Sequence, residues 1–373
     1  NEALKLIDDS LAIDIFNYGC LFEQYLIAKS KNNLAQEQQL LIEFKKIIRN
    51  NFNNYVEYAI DYIQAGMYGE AMDLLQIYAD QNAQSSPLLS YYIAWLFTKL
   101  NDPINTNKYL KIASLTPPDY CFPNKIEDVI VLELAVDKNI SDAKALYYLG
   151  NYWYANREYK EAIGYWEKSL ALDDKFATVQ RNLSLAYYNK LKEPKKSLIL
   201  LEQAFSLNTT DARVLMELDQ LYKIQYYPHE KRLALLEKYI VLTEQRDDIY
   251  LERITLYNQL GNFEKALELI AARQFHPWEG GEGKVVFQFL LCHIEMAKKA
   301  LSEGRIEHAL TLLNTAETYP FNLGEGKLYG TQENDIYYLQ GCAYEALGLS
   351  QNATDKFTAA TKGNSEPAQA IFY

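Results

Sequence analysis

From Ala143 to Phe176 the chain reads AKALYYLGNYWYANREYKEAIGYWEKSLALDDKF, with apolar residues recurring at three- and four-residue steps on either side of a polar turn. That spacing predicts two amphipathic helices joined tightly enough to run antiparallel. Numbering Ala143 as position 1 puts Leu146 at 4, Leu149 at 7, Gly150 at 8, Trp153 at 11, Ala162 at 20, Trp166 at 24 and Ser169 at 27. Gly150 and Ala162 are small where two helices must approach closely, and Leu149, Trp153 and Trp166 fill the space between them and the next pair.

Large and small residues at these offsets resemble a tetratricopeptide repeat, a helix-turn-helix unit of about 34 residues. The same ruler fits elsewhere. From Phe52 it places Gly66 at 15, Tyr68 at 17, Ala71 at 20 and Leu75 at 24; from Asp247, Tyr257 at 11, Gly261 at 15, Phe263 at 17 and Ala266 at 20. From Asn334 it places Gly341 at 8, Tyr344 at 11, Gly348 at 15, Ala353 at 20 and Phe357 at 24. The predicted fold is all-α, a right-handed superhelical solenoid of roughly ten antiparallel helix pairs in one continuous array. A partial repeat covers 1–16, looser repeats cover 17–51, 52–86 and 87–120, and an extra helix lies in 121–142. Clear repeats follow at 143–176, 177–211, 212–246 and 247–283, then loop-modified repeats at 284–333 and 334–373. Residues 177–211 need one inserted residue near Pro194, and 212–246 a few more around Pro228. NEALKLIDDSLAIDI aligns with a second helix, so a first helix is expected upstream and the chain reads as a piece of a longer polypeptide.

Charge narrows the partners. There are 37 Lys plus Arg against 49 Asp plus Glu, a net charge of −12, and no basic stripe along any helix, which excludes nucleic acid as the expected ligand. No apolar run approaches the ~20 residues of a membrane span. Cys20, Cys121, Cys292 and Cys342 show no CxxC spacing and read as small packed thiols, silent about compartment. Any targeting segment would lie upstream, so none is assigned.

Thirty-one tyrosines partly fill packing slots, as Tyr257 and Tyr344 do at position 11. Others are expected on the concave groove, lined in this repeat class by first-helix positions 2, 5, 9, 12 and 13. These include Lys144, Tyr147, Asn151 and Tyr154 in one repeat and Arg181, Tyr188 and Asn189 in the next. Amphipathic side chains on rigid helices suit a peptide or another domain; a merely solvated face is the alternative. Asn151 and Asn182 match two places of a carboxylate clamp, but Tyr147 and Glu217 stand where it needs cations.

Two connectors break the rhythm: RQFHPWEGGEGK, Arg273 to Lys284, and YPFNLGEGK, Tyr319 to Lys327, the latter followed by TQEND. Each joins a second helix to the next first helix, so the two should be neighbours on one edge. They would gather His276, Trp278, Glu279, Glu282, Asn322 and Glu325, with Lys284 and Lys327 starting helices. An exposed Trp beside acids and amides suits a sugar or a docking domain. Glu279, Glu282 or Glu325 could serve as glycosidic acid or base if paired about 5–9 Å apart. The alternative is that the glycines make turns and the acids cap helix N-termini. One histidine beside Glu279 and Glu282 sets no coordination geometry, and GxSxG, the Walker loop, GxGxxG after a strand and HExxH are missing; neither metal nor cofactor is expected. His293 and His308 fall within helices in structural roles.

HPWEGGEGK, NLGEGK with TQEND, YCFPNKIEDVIVLELAV and YYLGNYWYANREYKEAI resemble the helical half of a bacterial family, domain-of-unknown-function family 5107. The resemblance spans essentially the whole chain. It implies an upstream β-sandwich similar to carbohydrate-active or mutarotase-like domains, and a carbohydrate-linked role without an established reaction. The expected function is a non-catalytic scaffold for protein or interdomain contact, with a carbohydrate-binding or glycan-hydrolysing site at the two loops as the alternative.

Overall fold

The computed structural model describes residues 2–80, 82, 86–327 and 333–362, and every regular element among them is helical. The last residues of the repeat at 334–373, and Thr331 and Gln332 of the polar string, lie outside the described residues. The chain divides into two compact units, Asn1–Glu193 and Pro194–Tyr373. The first holds α1 (Glu2–Ile13), α2 (Tyr18–Ser30), α3 (Leu34–Ile48), α4 (Phe52–Gln64), α5 (Tyr68–Ala79), α6 (Pro87–Lys99), α7 (Pro103–Leu115), α8 (Ile126–Lys138), α9 (Ala143–Ala155), α10 (Tyr159–Leu172) and α11 (Ala177–Ala186). The second holds α12 (Pro194–Leu207), α13 (Ala212–Ile224), α14 (His229–Lys238), α15 (Ile240–Thr243), α16 (Asp247–Gln259), α17 (Phe263–Ala271), α18 (Lys284–Ser302), α19 (Ile306–Ala316), α20 (Asn334–Ala346) and α21 (Ser350–Ala360). Consecutive helices pack as pairs: α2 with α3, α4 with α5, α6 with α7, α9 with α10, α16 with α17, α18 with α19 and α20 with α21.

The pairing rests on size. A Cβ on Gly150 would stand 2.3 Å from the Trp166 ring, and one on Gly341 2.5 Å from the Phe357 ring. Position 8 of the first helix thus lies directly beneath the position 24 aromatic of the second. Position 20 is fully buried as Ala71, Ala162 and Ala266. Between the helices, position 15 reverses the chain with a positive φ, at Gly66 (75°), Gly261 (77°) and Gly348 (74°) and at Asn101 and Arg157 in other repeats.

Neighbouring repeats are tied by a polar rung invisible in the apolar pattern. The position 11 tyrosines Tyr187, Tyr222 and Tyr257 donate to Glu167, Glu202 and Glu237 on the preceding second helix, the latter two at 2.7 Å. Each rung links residues 20 apart. Burial raises the Tyr222 and Tyr257 hydroxyls above the ordinary tyrosine range, and their carboxylate partners raise them further.

Two expected irregularities take a definite form. The residue inserted in 177–211 is absorbed in a π turn, Tyr187–Leu191, closed by Lys192 in the left-handed region (φ 58°), one turn before the place expected at Pro194. In 284–333, α18 runs for 19 residues against 13 for α16. Counted back from the turn at Gly304, Ala297, Ala309 and Leu313 take positions 8, 20 and 24, all fully buried. Lys284–Phe289 is therefore an extension of the first helix beyond the repeat. Cys121 and Cys292 are buried, and Cys20 and Cys342 half-buried. Burial pushes the Cys292 thiol up to about 12, and it donates to Asn258 Oδ1 at 3.1 Å.

Gly150→Ala should lower the unfolding midpoint of the first unit, an overpacking cost of about 1–3 kcal/mol that outweighs the helix propensity gained. Gly164→Ala, on the same helix pair with nothing within 4 Å of its Cβ, should raise it by about 0.5–1 kcal/mol. Equal shifts in both would contradict the size argument. His293 in α18 is 2% exposed and its Nδ1–H donates to the Phe289 carbonyl at 2.8 Å. Burial lowers its pKa below the ordinary 6.5. The unfolded chain thus takes up this proton first, so stability is held above about pH 6.5 and falls as the pH drops below it. Thermal melts of His293→Gln should show a shallower loss between about pH 6.5 and 5 than the parent.

Candidate functional site

The two irregular connectors interlock within the second unit. At the end of α17 the Arg273 guanidinium lies 4.4 Å over the Tyr250 ring and donates to Asp247 Oδ1 and the Glu244 carbonyl. Asp247, which opens α16, also accepts the His276 N–H at 3.0 Å. Burial pushes the Asp247 carboxyl up, but His276 and Arg273 outweigh it and hold it below the usual range. Phe275 is buried, and its N–H donates to the Asn322 carbonyl at 2.9 Å. Asn322 returns the contact, its Nδ2 donating to the Ile270 and Arg273 carbonyls at 2.8 and 3.1 Å. The open C-terminus of α17 is thus closed from the other connector.

The entrance to α18 is built the same way. Gly281 N–H donates to the Trp278 carbonyl and Lys284 N–H to the Gly281 carbonyl, giving two successive turns through Gly280 and Gly283. A Cβ on Gly281 would stand 2.2 Å from the Trp278 ring, so the half-buried indole lies flat on that glycine. Glu325 Oε2 accepts the Gly283 N–H at 2.9 Å, capping the α18 N-terminus from across the interlock. Its Oε1 is buried and has no hydrogen-bond partner among the described residues.

The predicted residues therefore separate. Asn322 and Glu325 brace the connectors. Lys284 begins α18 as expected, but Lys327 begins no helix: α20 starts at Asn334, and the Lys327 amine pairs with Glu333. Glu333, 5% exposed, also accepts from Tyr319 and Tyr337. Burial pushes its carboxyl up, and Lys327 with the two phenols brings it below the ordinary value. His276, Glu279, Glu282 and Lys284 remain exposed beside Trp278. A niche of about 30 Å³ lies under them, walled by His276, Trp278, Gly281, Glu282, Val285 and Glu325.

Trp278, Glu279, Glu282 and Lys284 also form one end of a groove of about 1060 Å³ lined by α13, α16 and α18. Gln220, Lys223 and Ile224 come from α13, Asp248, Leu251, Glu252, Thr255 and Gln259 from α16, and Phe287 and Gln288 from α18. On the repeat ruler most of these stand at positions 2, 5, 9, 12 and 13, so counting from Ala212 and Asp247 would have found them. Its floor is a charge network. Arg232 grips Asp219 bidentately at 2.7 and 3.0 Å, both 2% exposed, and reaches Glu252 at 2.6 Å, while Lys223 reaches Glu252 at 3.0 Å. Burial pushes the Glu252 carboxyl up, and Lys223 and Arg232 together bring it below its ordinary value.

In the first unit the expected groove residues are largely committed to packing. Tyr147 is buried, with its ring 4.9 Å from Phe176, which corrects its placement on the groove. Position 5 turned inward because Phe176, the last residue of the repeat, supplies an aromatic partner. Lys144 Nζ donates to the Thr116 carbonyl at 2.6 Å, Asn151 Oδ1 accepts from Trp166 and Asn182, and Tyr154 packs on Tyr159 and Trp166. Arg181 and Tyr188 are half-buried and Asn189 is exposed, the last two displaced by the π turn.

Helix pairs with these offsets and a groove lined by their first helices define a tetratricopeptide-type fold. The tetratricopeptide repeat family model matches residues 143–176. Among solved structures, the chain is similar to one described as functional characterization of Pseudomonas aeruginosa pilF, at 17% identity over 59% of this chain and 89% of that one, TM-score 0.33. It is also similar to the APC/C hetero-tetramer Cut9-Hcn1, at 14% identity over 69% and 46%, TM-score 0.31. A third is YrrB, described as a TPR protein with an unusual peptide-binding site, at 17% identity over 56% and 95%, TM-score 0.25. No helix among the described residues is long and apolar enough to cross a membrane.

Asn322→Ala removes the side-chain donor from the part-buried Ile270 and Arg273 carbonyls and should cost about 1–3 kcal/mol. Limited proteolysis should then cut the segment from Gln274 to Gly283 sooner than in the parent; an unchanged digestion pattern and melting temperature would contradict the brace.

Proposed function

We propose that the chain is a non-catalytic scaffold whose second-unit groove holds an extended segment of another polypeptide or of a neighbouring domain. The observation that carries this reading is the groove itself, about 1060 Å³, with apolar, amide and charged side chains presented by three packed helices. Helices hold such groups in place before binding, which reduces the ordering cost of association. Trp278 is the anchor, since a half-exposed ring at the groove's end offers apolar area with little rotamer entropy to lose. The resemblance to family 5107 makes the domain expected upstream one source of such a segment.

A carbohydrate site at the loops is the second reading, favoured by Trp278 beside Glu279 and Glu282. It would have to use the open groove, because the niche beneath these residues is far smaller, about 30 Å³ against about 1060 Å³. Asn322, Glu325 and Lys327 already spend polar groups inside the fold.

A displayed library of random linear peptides, selected on the immobilised full chain, tests the scaffold reading. The parent should enrich a defined set of peptides. Thr255→Arg, which places a long side chain in mid-groove, should reduce their binding at least tenfold, and Trp278→Ala should weaken it by about 2 kcal/mol. No enrichment, or full binding to Thr255→Arg, overturns the reading.

A further inference from the structure

The charges around the groove are not distributed evenly, and their pairing says what kind of segment fits. Along α13 and α16 they close among themselves. Lys223 is taken by Glu252, Arg232 by Asp219 and Glu252, and Asp248 by Arg246 at 2.6 Å. At the connector end they do not. Glu279 and Glu282 are exposed and have no cationic partner among the described residues, and Glu325 has one oxygen on the Gly283 N–H and the other buried without a partner. Against these three carboxylates stands Lys284, with the exposed His276 ring beyond it, 3.3 Å from Asp247.

Within the same few residues lies the half-exposed Trp278 ring, fixed on Gly281. It immediately precedes Glu279, four residues before Glu282, and forms a wall of both the groove and the niche. The niche, about 30 Å³, is walled in part by Glu325, whose unpartnered oxygen is itself closed to solvent. An aromatic face and exposed, unpaired carboxylates are two requirements that one side chain meets. A lysine or arginine can lay its stem along the indole, place its charge within about 6 Å of the ring and donate to the carboxylates. A neutral polar group would leave the charge uncompensated, and an acidic segment would be repelled at the lip.

We infer that the groove takes a basic linear segment, with one Lys or Arg seated on Trp278 beside Glu279 and Glu282. This rests on the groove being a peptide site, and deepens that reading by naming the chemistry of its occupant. The overall charge of −12 adds long-range attraction for such a segment.

The peptide selection above, with the enriched pool sequenced, is the test. The pool should carry Lys or Arg at one fixed position, and a selected peptide measured by fluorescence anisotropy should bind at least tenfold more weakly to the Glu279→Gln/Glu282→Gln double variant. The same peptide should weaken in the parent as NaCl rises from about 50 to about 300 mM. The double substitution is on exposed side chains, so an unchanged melting temperature serves as its folding control. A pool enriched without a basic position, or bound equally by the double variant, overturns the cationic inference and leaves the groove reading standing. A pool with no enrichment at all overturns both.

Discussion

Two helices lie side by side at close range only where one of them yields its side chain, and this chain repeats that concession. Gly150 lies under Trp166 and Gly341 under Phe357, while Ala71, Ala162 and Ala266 make room from the opposite helix. A single pair formed this way cannot bury its outer faces, so each requires its neighbours. In the repeat from Ala212 to Arg246 position 8 is Asp219, and the slot is filled by the bidentate grip of Arg232. Such a pair contributes little net stability in place of a hydrophobic contact, but removing one partner would strand a buried charge. Because Arg232 also reaches Glu252 on α16, the exchange binds α14 to α13 and α16, two of the three helices that line the groove.

Stacking then raises a polar problem. The second helices α10, α12 and α14 each carry a glutamate toward the next repeat, and Tyr187, Tyr222 and Tyr257 supply the hydroxyl that satisfies it. A phenol does this well because its ring is buried with the apolar core while its oxygen reaches the rim. Where connectors lengthen, backbone groups at the helix ends lose their usual partners, and the chain meets this by crossing its loops. Asn322 closes α17 and Glu325 caps α18, each from the opposite connector. Glycines in these loops are there for approach as well as for turning: a Cβ on Gly324 would lie 2.5 Å from the Phe275 carbonyl oxygen.

The helix pairs, the small slots and the two irregular connectors were legible from spacing, because a period repeated several times leaves redundant evidence. Features that occur once were not. Nothing in the local pattern shows that the extra residue near Pro194 would widen a helix into a π turn, since a single π turn is too short for its spacing to register as a period. Tyr147 looked like a groove residue until Phe176 drew it inward, a choice settled by a partner outside its own helix. The pairings of Asn322, Glu325 and Lys327 join groups from separate segments, and polar contacts carry no periodicity that a sequence could display. The groove in the second unit was within reach of the same ruler and was missed only by counting from Ala143 and Ala177.

What the connectors contribute follows from which of their groups are spent. Amides and carboxylates that point inward hold two helix ends and fix the path of the backbone, so the groups left facing outward are presented on a braced frame. The six-residue extension Lys284–Phe289 carries that frame past the end of the repeat and onto the groove. A flexible loop with the same Trp and glutamates would lose much of its binding energy to ordering them; here that ordering is complete before a ligand arrives. The bracing itself creates the imbalance at the groove's end. Glu325 is drawn in to cap α18, where the helix dipole and one N–H offset only part of its charge, and Glu279 and Glu282 add theirs beside it. The economy of the fold thus leaves at one end of the groove a negative charge that a cation brought by a partner would neutralise.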